Sequence, residues 1–79
     1  MRVLVTLSTT LRDHVPGYNA PDGLSTDLDS PADVKTLLTL LGIPENETKI
    51  IMVNGRQAAL RDPLSDGDRV ALFPAVGGG

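Results

Sequence analysis

The 79-residue sequence has no cysteine and no tryptophan, and its aromatic content is one Tyr and one Phe. Without cysteine, neither a disulfide framework nor a thiolate metal site can be built. Two aromatic rings leave almost nothing for bases to stack on, and a formal net charge of -3 opposes a phosphate backbone. Nucleic acid is therefore not an expected partner. No apolar run approaches the roughly 18 residues of a membrane span, and "MRVLVTLSTT" is too short and strand-like for a signal peptide. No membrane partner is expected, and the expected compartment is the cytoplasm. With 41% apolar and 22% charged residues the composition is globular. A chain of this size buries only about 60% of the surface its unfolded form exposes, so one domain held by aliphatic packing is expected.

Periodicity supplies the elements. "RVLVTL" (Arg2 to Leu7) alternates Val3, Val5 and Leu7 against Arg2, Leu4 and Thr6, the pattern of a half-buried strand. The stretch from Ser8 to Gly23 carries two Pro and two Gly, and its "PG" and "PDG" turn chemistry limits any helix to about one turn, so loop is expected. "LSTDLD" (Leu24 to Asp29) resumes the period of two as the return limb of a hairpin.

"SPADVKTLLTLLGIP" predicts a helix from about Pro31 to Leu41. Ser30 suits the N-cap, Pro31 the first helical position, and Asp33 the capping-box position at the positive helix end. Val34, Leu37, Leu38 and Leu41 form one apolar stripe. Gly42 suits a left-handed C-cap, Ile43 can meet Leu38, and Pro44 forbids continuation. Next, "KIIMVNGRQAAL" places Asn54-Gly55, the signal of a type I′ hairpin, between two strands. A last strand, "DRVALF", follows the Asp66-Gly67 turn. The order ββ-α-ββ plus a final strand predicts an α+β, β-grasp (ubiquitin-like) domain, with one amphipathic helix covering one face of a mixed sheet of four to five strands.

The chain ends "FPAVGGG". With Gly at about 7% of residues, a terminal Gly triplet arises by chance in roughly three chains per ten thousand, which favours a purpose. Residues 1–76 are expected to form the single domain, and 77–79 a flexible tail. A carboxylate is a poor electrophile, but an ATP-using partner can adenylate the α-carboxylate of Gly79, making AMP a leaving group for a sulfur or amine nucleophile. Gly77, Gly78 and Gly79 have no Cβ to collide in a narrow passage and accept φ of either sign. Ordering them costs on the order of 1 to 2 kcal/mol each, so contacts near the tail's root should compensate. If Val70 and Leu72 face the core, Phe73 points outward beside Pro74 and Val76 as a docking patch; the alternative is that Phe73 closes a sheet end as core.

Together, "MVNG", "PLSDGDRVALFPAVGGG" and the helix "SPADVKTLLTLLGI" resemble the MoaD/ThiS family of ubiquitin-like sulfur carriers, over most of the chain. The F-P-x-V approach to the glycines is more similar to the small subunit of molybdopterin synthase than to the thiazole-pathway carrier. That subunit commonly has a full helix after the first strand, where "RDHVPGYNAPDG" is broken by Pro16, Gly17 and Pro21. The resemblance implies a chain that is not an enzyme and binds no cofactor itself, ATP being used by the partner. It implies adenylation by a ubiquitin-activating-type enzyme, conversion of Gly79 to a thiocarboxylate, and sulfur donation to a larger synthase subunit or other acceptor. Molybdenum or tungsten pterin synthesis leads, with thiazole synthesis or tRNA thiolation behind. The rival readings are a protein modifier joined through Gly79 to a lysine, and an inert β-grasp interaction module.

Other side chains carry less. His14, the only histidine, has no Ser or Cys nucleophile with a supporting acid around it and is expected in a loop. Asp27 with Asp29, and Asp66 with Asp68, lack the twelve-residue calcium loop and read as solvated charges; no metal site is expected. Arg56 and Arg61 read as surface solubility.

Overall fold

A computed structural model describes residues 1–18 and 23–74. Five strands form one mixed sheet: β1 Arg2–Leu7, β2 Leu24–Asp27, β3 Thr48–Val53, β4 Arg56–Ala58 and β5 Arg69–Pro74. Their order across the sheet is β2-β1-β5-β3-β4. The central pair, β1 and β5, is parallel, with Leu4 beside Arg69 and Leu7 beside Leu72. The other pairings are antiparallel. One helix, α1 Val34–Leu41, covers one face. This is the β-grasp arrangement that the order of elements predicts.

Alternation decides the layers. Val3, Val5 and Leu7 of β1 and Val70 and Leu72 of β5 are buried against Val34, Leu37 and Leu38 of α1, which are wholly enclosed. The second strand is shorter than its sequence predicts, ending at Asp27, yet Thr26 and Leu28 still face inward. At its tip the β3-β4 hairpin places Asn54 at φ 54° and Gly55 at φ 81°, the left-handed pair that a type I′ turn requires.

The helix stops where its sequence says and starts later. Gly42 takes the left-handed conformation at φ 74°, its N–H reaches the Thr39 carbonyl, and the Ile43 N–H reaches the Leu38 carbonyl at 2.9 Å, closing a Schellman motif. At the other end the cap is Asp33, not Ser30, and Pro31 lies outside the helix. Residues 32–33 are drawn into extended pairing with the turn at 62–64: Asp33 bridges Pro63, and the Leu64 N–H donates to the Ala32 carbonyl at 2.9 Å. That pairing also satisfies the helix's first free donors. The Val34 N–H donates to Asp62 O and the Lys35 N–H to Leu60 O, while Thr36 N–H donates to Asp33 Oδ1 at 2.8 Å.

The segment after β1 departs further from its loop reading. Thr9–His14 is a 3₁₀ helix of two turns, and it carries Leu11 and Val15 into the core. His14 lies in that helix, with Nε2 2.9 Å from Glu47 Oε1. The pairing of β1 with β2 reaches only Val5 opposite Leu24, leaving Leu7's outward backbone groups free. Side chains fill the gap: the Leu7 N–H donates to Tyr18 Oη at 2.9 Å, and Arg12 Nε donates to the Leu7 carbonyl at 3.1 Å. Arg12 also lies over the Tyr18 ring, 5.8 Å from its centroid.

Two measurements test these assignments. Leu11→Ala should lower unfolding free energy in urea by about 2–5 kcal/mol, the cost of a core cavity, whereas the same change in a surface loop stays within about 0.5 kcal/mol. Hydrogen bonds from the Thr36 N–H and then its hydroxyl hold the Asp33 carboxyl below the ordinary carboxylate range. A lowered folded-state pKa contributes stability that is complete above the unfolded value and is lost as pH falls through the folded one. Asp33→Asn should flatten the loss of stability between about pH 5 and about pH 2 in urea titrations; an unchanged acid limb contradicts the cap.

Candidate functional site

The start of β5 is tied on both sides. On one side the Arg2 N–H donates to Asp66 Oδ1 at 2.7 Å, the Gly67 N–H to the Arg2 carbonyl and the Leu4 N–H to the Asp68 carbonyl. On the other, Asn54 Nδ2 donates to Asp68 Oδ1 and the Arg69 N–H donates to Asn54 Oδ1, both at 2.9 Å. The Asn54 N–H completes the tie on the Arg69 carbonyl at 2.8 Å. Asp68 also accepts from the Ser65 N–H. The Asp66-Gly67-Asp68 turn and the Asn54-Gly55 hairpin thus act together: they hold β5 in register with β1 and β3.

From that anchor β5 runs to Phe73 and Pro74. Leu72 is fully buried, so Phe73 lies on the sheet face opposite α1, as its alternation predicts, and is half-buried there. Ile50 pairs with Phe73 and Met52 with Ala71. Leu4 pairs with Arg69 across the β1 ladder. Leu4, Met52 and Ala71 are each half-buried, and Ile50 is 40% exposed. The outer face therefore carries an apolar patch of Leu4, Ile50, Met52, Ala71 and Phe73, flanked by the exposed Arg69. Sequence reasoning found only Phe73 of this set. The signal was present: Ile50 to Val53 is apolar without alternation, the pattern of a strand with apolar neighbours on both faces.

At Pro74 the ladder changes. Thr48 pairs with Pro74 and Ile50 with Phe73, so Lys49 is the extra residue of a β-bulge. Proline has no N–H to give the ladder, and the regular register ends there. Val76, Gly77, Gly78 and Gly79 lie outside the described residues.

Asp27, Asp66 and Asp68 serve the fold. Asp27 accepts from Arg2 Nε at 2.8 Å, an exposed ion pair of small energetic weight that raises the guanidinium and lowers the carboxyl through their shared hydrogen bond. Asp66 and Asp68 hold the turn. A concavity of about 880 Å³ lies between β2 and α1, lined by Arg2, Asp27, Asp29, Asp66 and Leu40 among others, at the end of the sheet away from Pro74. Among the described residues no three His, Cys, Asp or Glu side chains group as a metal site, and no helix is long and apolar enough to cross a membrane.

A family model described as the ThiS family matches residues 5–79. The chain belongs to the ThiS family. It thereby joins the ubiquitin-fold sulfur carriers, small and generally non-catalytic proteins. Among solved structures, SAMP1 from Haloferax volcanii superposes with a TM-score of 0.73 at 25% identity, over 100% of both chains. A Pyrococcus furiosus protein assigned as subunit 1 of molybdopterin converting factor gives 0.70 at 26% identity, over 95% of this chain and 98% of that one. A chain from the complex of subunits 1 and 2 of molybdopterin-converting factor of Helicobacter pylori 26695 gives 0.62 at 25% identity, over 100% of both. No curated protein matches the sequence.

The two faces of β5 make opposite demands on stability. Ile50→Ser and Phe73→Ser should each cost only about 1 kcal/mol in urea unfolding, half or less of a fully buried side chain, whereas Leu72→Ala should cost about 2–5 kcal/mol. Equal costs on both faces would contradict an outer patch free of core duty.

Proposed function

We propose that this ThiS-family chain is a sulfur carrier whose reactive group is the α-carboxylate of Gly79. The observation that carries the reading is structural: the tail's root leaves the central strand of the sheet beside an apolar outer patch. A partner seated on Phe73, Pro74 and Val76, with Ile50 and Met52 alongside, receives the glycines and compensates their ordering.

The chemistry has two steps. In the partner, a Gly79 carboxylate oxygen attacks the α-phosphate of ATP, and pyrophosphate leaves. A sulfur nucleophile then adds to the acyl carbon, and AMP departs with the electron pair of the C–O bond. Where that nucleophile is a donor persulfide, a thiol reductant then attacks the donor's sulfur and the S–S bond breaks; the donor leaves as a mixed disulfide and Gly79 keeps a thiocarboxylate, which donates its sulfur to an acceptor. This chain contributes no general acid or base; it binds, orients and presents.

Donation in molybdopterin or tungstopterin synthesis is the leading assignment. Supporting it are the similarity to the P. furiosus protein and to the H. pylori complex, in which subunits 1 and 2 associate; a larger synthase subunit is the corresponding partner here. The similarity to SAMP1, also described as small archaeal modifier protein 1, supports a second reading, in which Gly79 is joined to a lysine of another protein.

Intact-mass analysis of the protein from its native host tests both. One oxygen replaced by sulfur at Gly79 is the expected result for a carrier, and lysine adducts through Gly79 are expected for a modifier. An unmodified chain that no adenylating enzyme activates would overturn the two together. Because Gly79 stands five residues beyond Pro74 and the core lies within the described residues, deleting Gly79 should leave the unfolding midpoint unchanged while abolishing transfer.

A further inference from the structure

Two large apolar side chains stand exposed among the described residues, Ile50 at 40% and Leu40 at 57%. Ile50 belongs to the outer patch. Leu40 lies on the other side of the molecule, near the end of α1 and off the stripe of Val34, Leu37 and Leu38 that meets the sheet, with the exposed Thr36 one turn before it. A single exposed leucine is ordinary on a protein surface, so its setting carries the inference.

Two concavities share Thr36 and Leu40 as a common wall. The first, of about 880 Å³, holds three carboxylates, Asp27, Asp29 and Asp66, against the Arg2 guanidinium and the Met1 amine. Asp27 is engaged by Arg2, whereas Asp29 is exposed and has no ion-pair partner among the described residues. The second, of about 460 Å³, holds Lys35 and Arg61 against the single carboxylate of Asp33, which already accepts from the Thr36 N–H and hydroxyl. Lys35 reaches Glu45 only at 3.8 Å, and Arg61 is exposed with no ion-pair partner among the described residues. One leucine therefore separates an excess of negative charge from an excess of positive charge.

A patch of one sign fits a partner of the other sign. A patch with both signs disposed about an apolar knob fits itself: a two-fold axis through Leu40 sets each copy's negative concavity against the other's positive one, as an isologous contact requires. We propose that the chain pairs with a second copy of itself through this face of α1, Leu40 lying at the axis and Asp29 of each protomer facing the partner's Arg61. The first concavity opens where β1 and β5 begin, and the outer patch is on the opposite side of the sheet, so Phe73 and Pro74 stay uncovered in the pair. One leucine with a short rim on either side falls below the roughly 1,200 Å² of a standard stable interface. The pair therefore forms and parts readily, with a dissociation constant between about 10 μM and about 1 mM.

Sedimentation equilibrium of the full chain from about 20 μM to about 1 mM at low salt should show the average mass rising toward that of a dimer and no further. Raising the ionic strength to about 0.5 M should weaken association at least about threefold, because screening then acts within a few ångströms. Leu40→Ser should stay monomeric throughout with an unchanged unfolding midpoint. Asp29→Arg and Arg61→Asp should each weaken pairing at least about tenfold, and an equimolar mixture of the two should recover it, since both contacts then join opposite charges. A readout that needs no variant is the set of wild-type amide shifts that move with concentration, which should fall at residues 27–31, 33–40 and 61 and spare β3 and β5. A monomer at about 1 mM, growth beyond a dimer, or moving shifts on the outer patch would each overturn the proposal. So would pairing that survives Leu40→Ser, charge reversals without effect, or reversals that the mixture does not rescue.

Discussion

The position of Phe73 and Pro74 is set by β5, and β5 is positioned at its first residue. Two separate pieces of chain meet there: the turn at Asp66 to Asp68, hydrogen-bonded to β1, and Asn54 at the tip of the β3-β4 hairpin. Neither is a core contact, yet both act on register, and a one-residue slip of β5 would exchange its two faces. Leu72 would move outward and Phe73 into the core. A short hydrogen-bonded knot at one end of the sheet therefore determines what the tail's root presents at the other.

The core supplies the rigidity that makes this placement useful. Val5, Leu11, Val34, Leu37, Leu38 and Leu72 are all fully enclosed, which concentrates the apolar burial of a small chain between α1 and the two central strands. All of that packing lies on one side of the sheet. The outer side keeps Leu4, Ile50, Met52, Ala71 and Phe73 half-buried or exposed, more apolar surface than a strand with one wet face needs. Ile50 and Phe73 bring that excess up to Pro74, where they give the proposed partner apolar contact at the tail's root.

Legibility in the sequence followed how local each signal is. The helix C-terminus was readable because the Schellman motif is made by Leu38, Thr39, Gly42 and Ile43 alone. The N-terminus was misread because Ser30-Pro31 satisfies the same local rules as Asp33, and only pairing with the turn at 62–64 decides between them. Pro16 and Gly17 marked the segment after β1 as loop, but Leu11 had a core to enter, and burial at 0% exposure stabilised two turns of 3₁₀ helix ahead of those breakers. For Phe73 the sequence leaves open an outward position and a core one, and burial of Val70 and Leu72 decides for outward; its neighbours Ile50 and Met52 come from another strand, and a register no single segment encodes brings them together.

What the sequence by itself determined is therefore the list of elements, the strand alternation, the hairpin at Asn54-Gly55 and the glycine ending, because each depends on residues within a few positions of one another. Tertiary structure alone decided the cap at Asp33, the use of Asp66, Asp68 and Asn54 as ties, the patch around Phe73 and the bulge at Lys49. Each of these is a meeting of segments distant in the chain, and such meetings are set by the mutual exclusion and hydrogen bonding of packed elements rather than by any local preference.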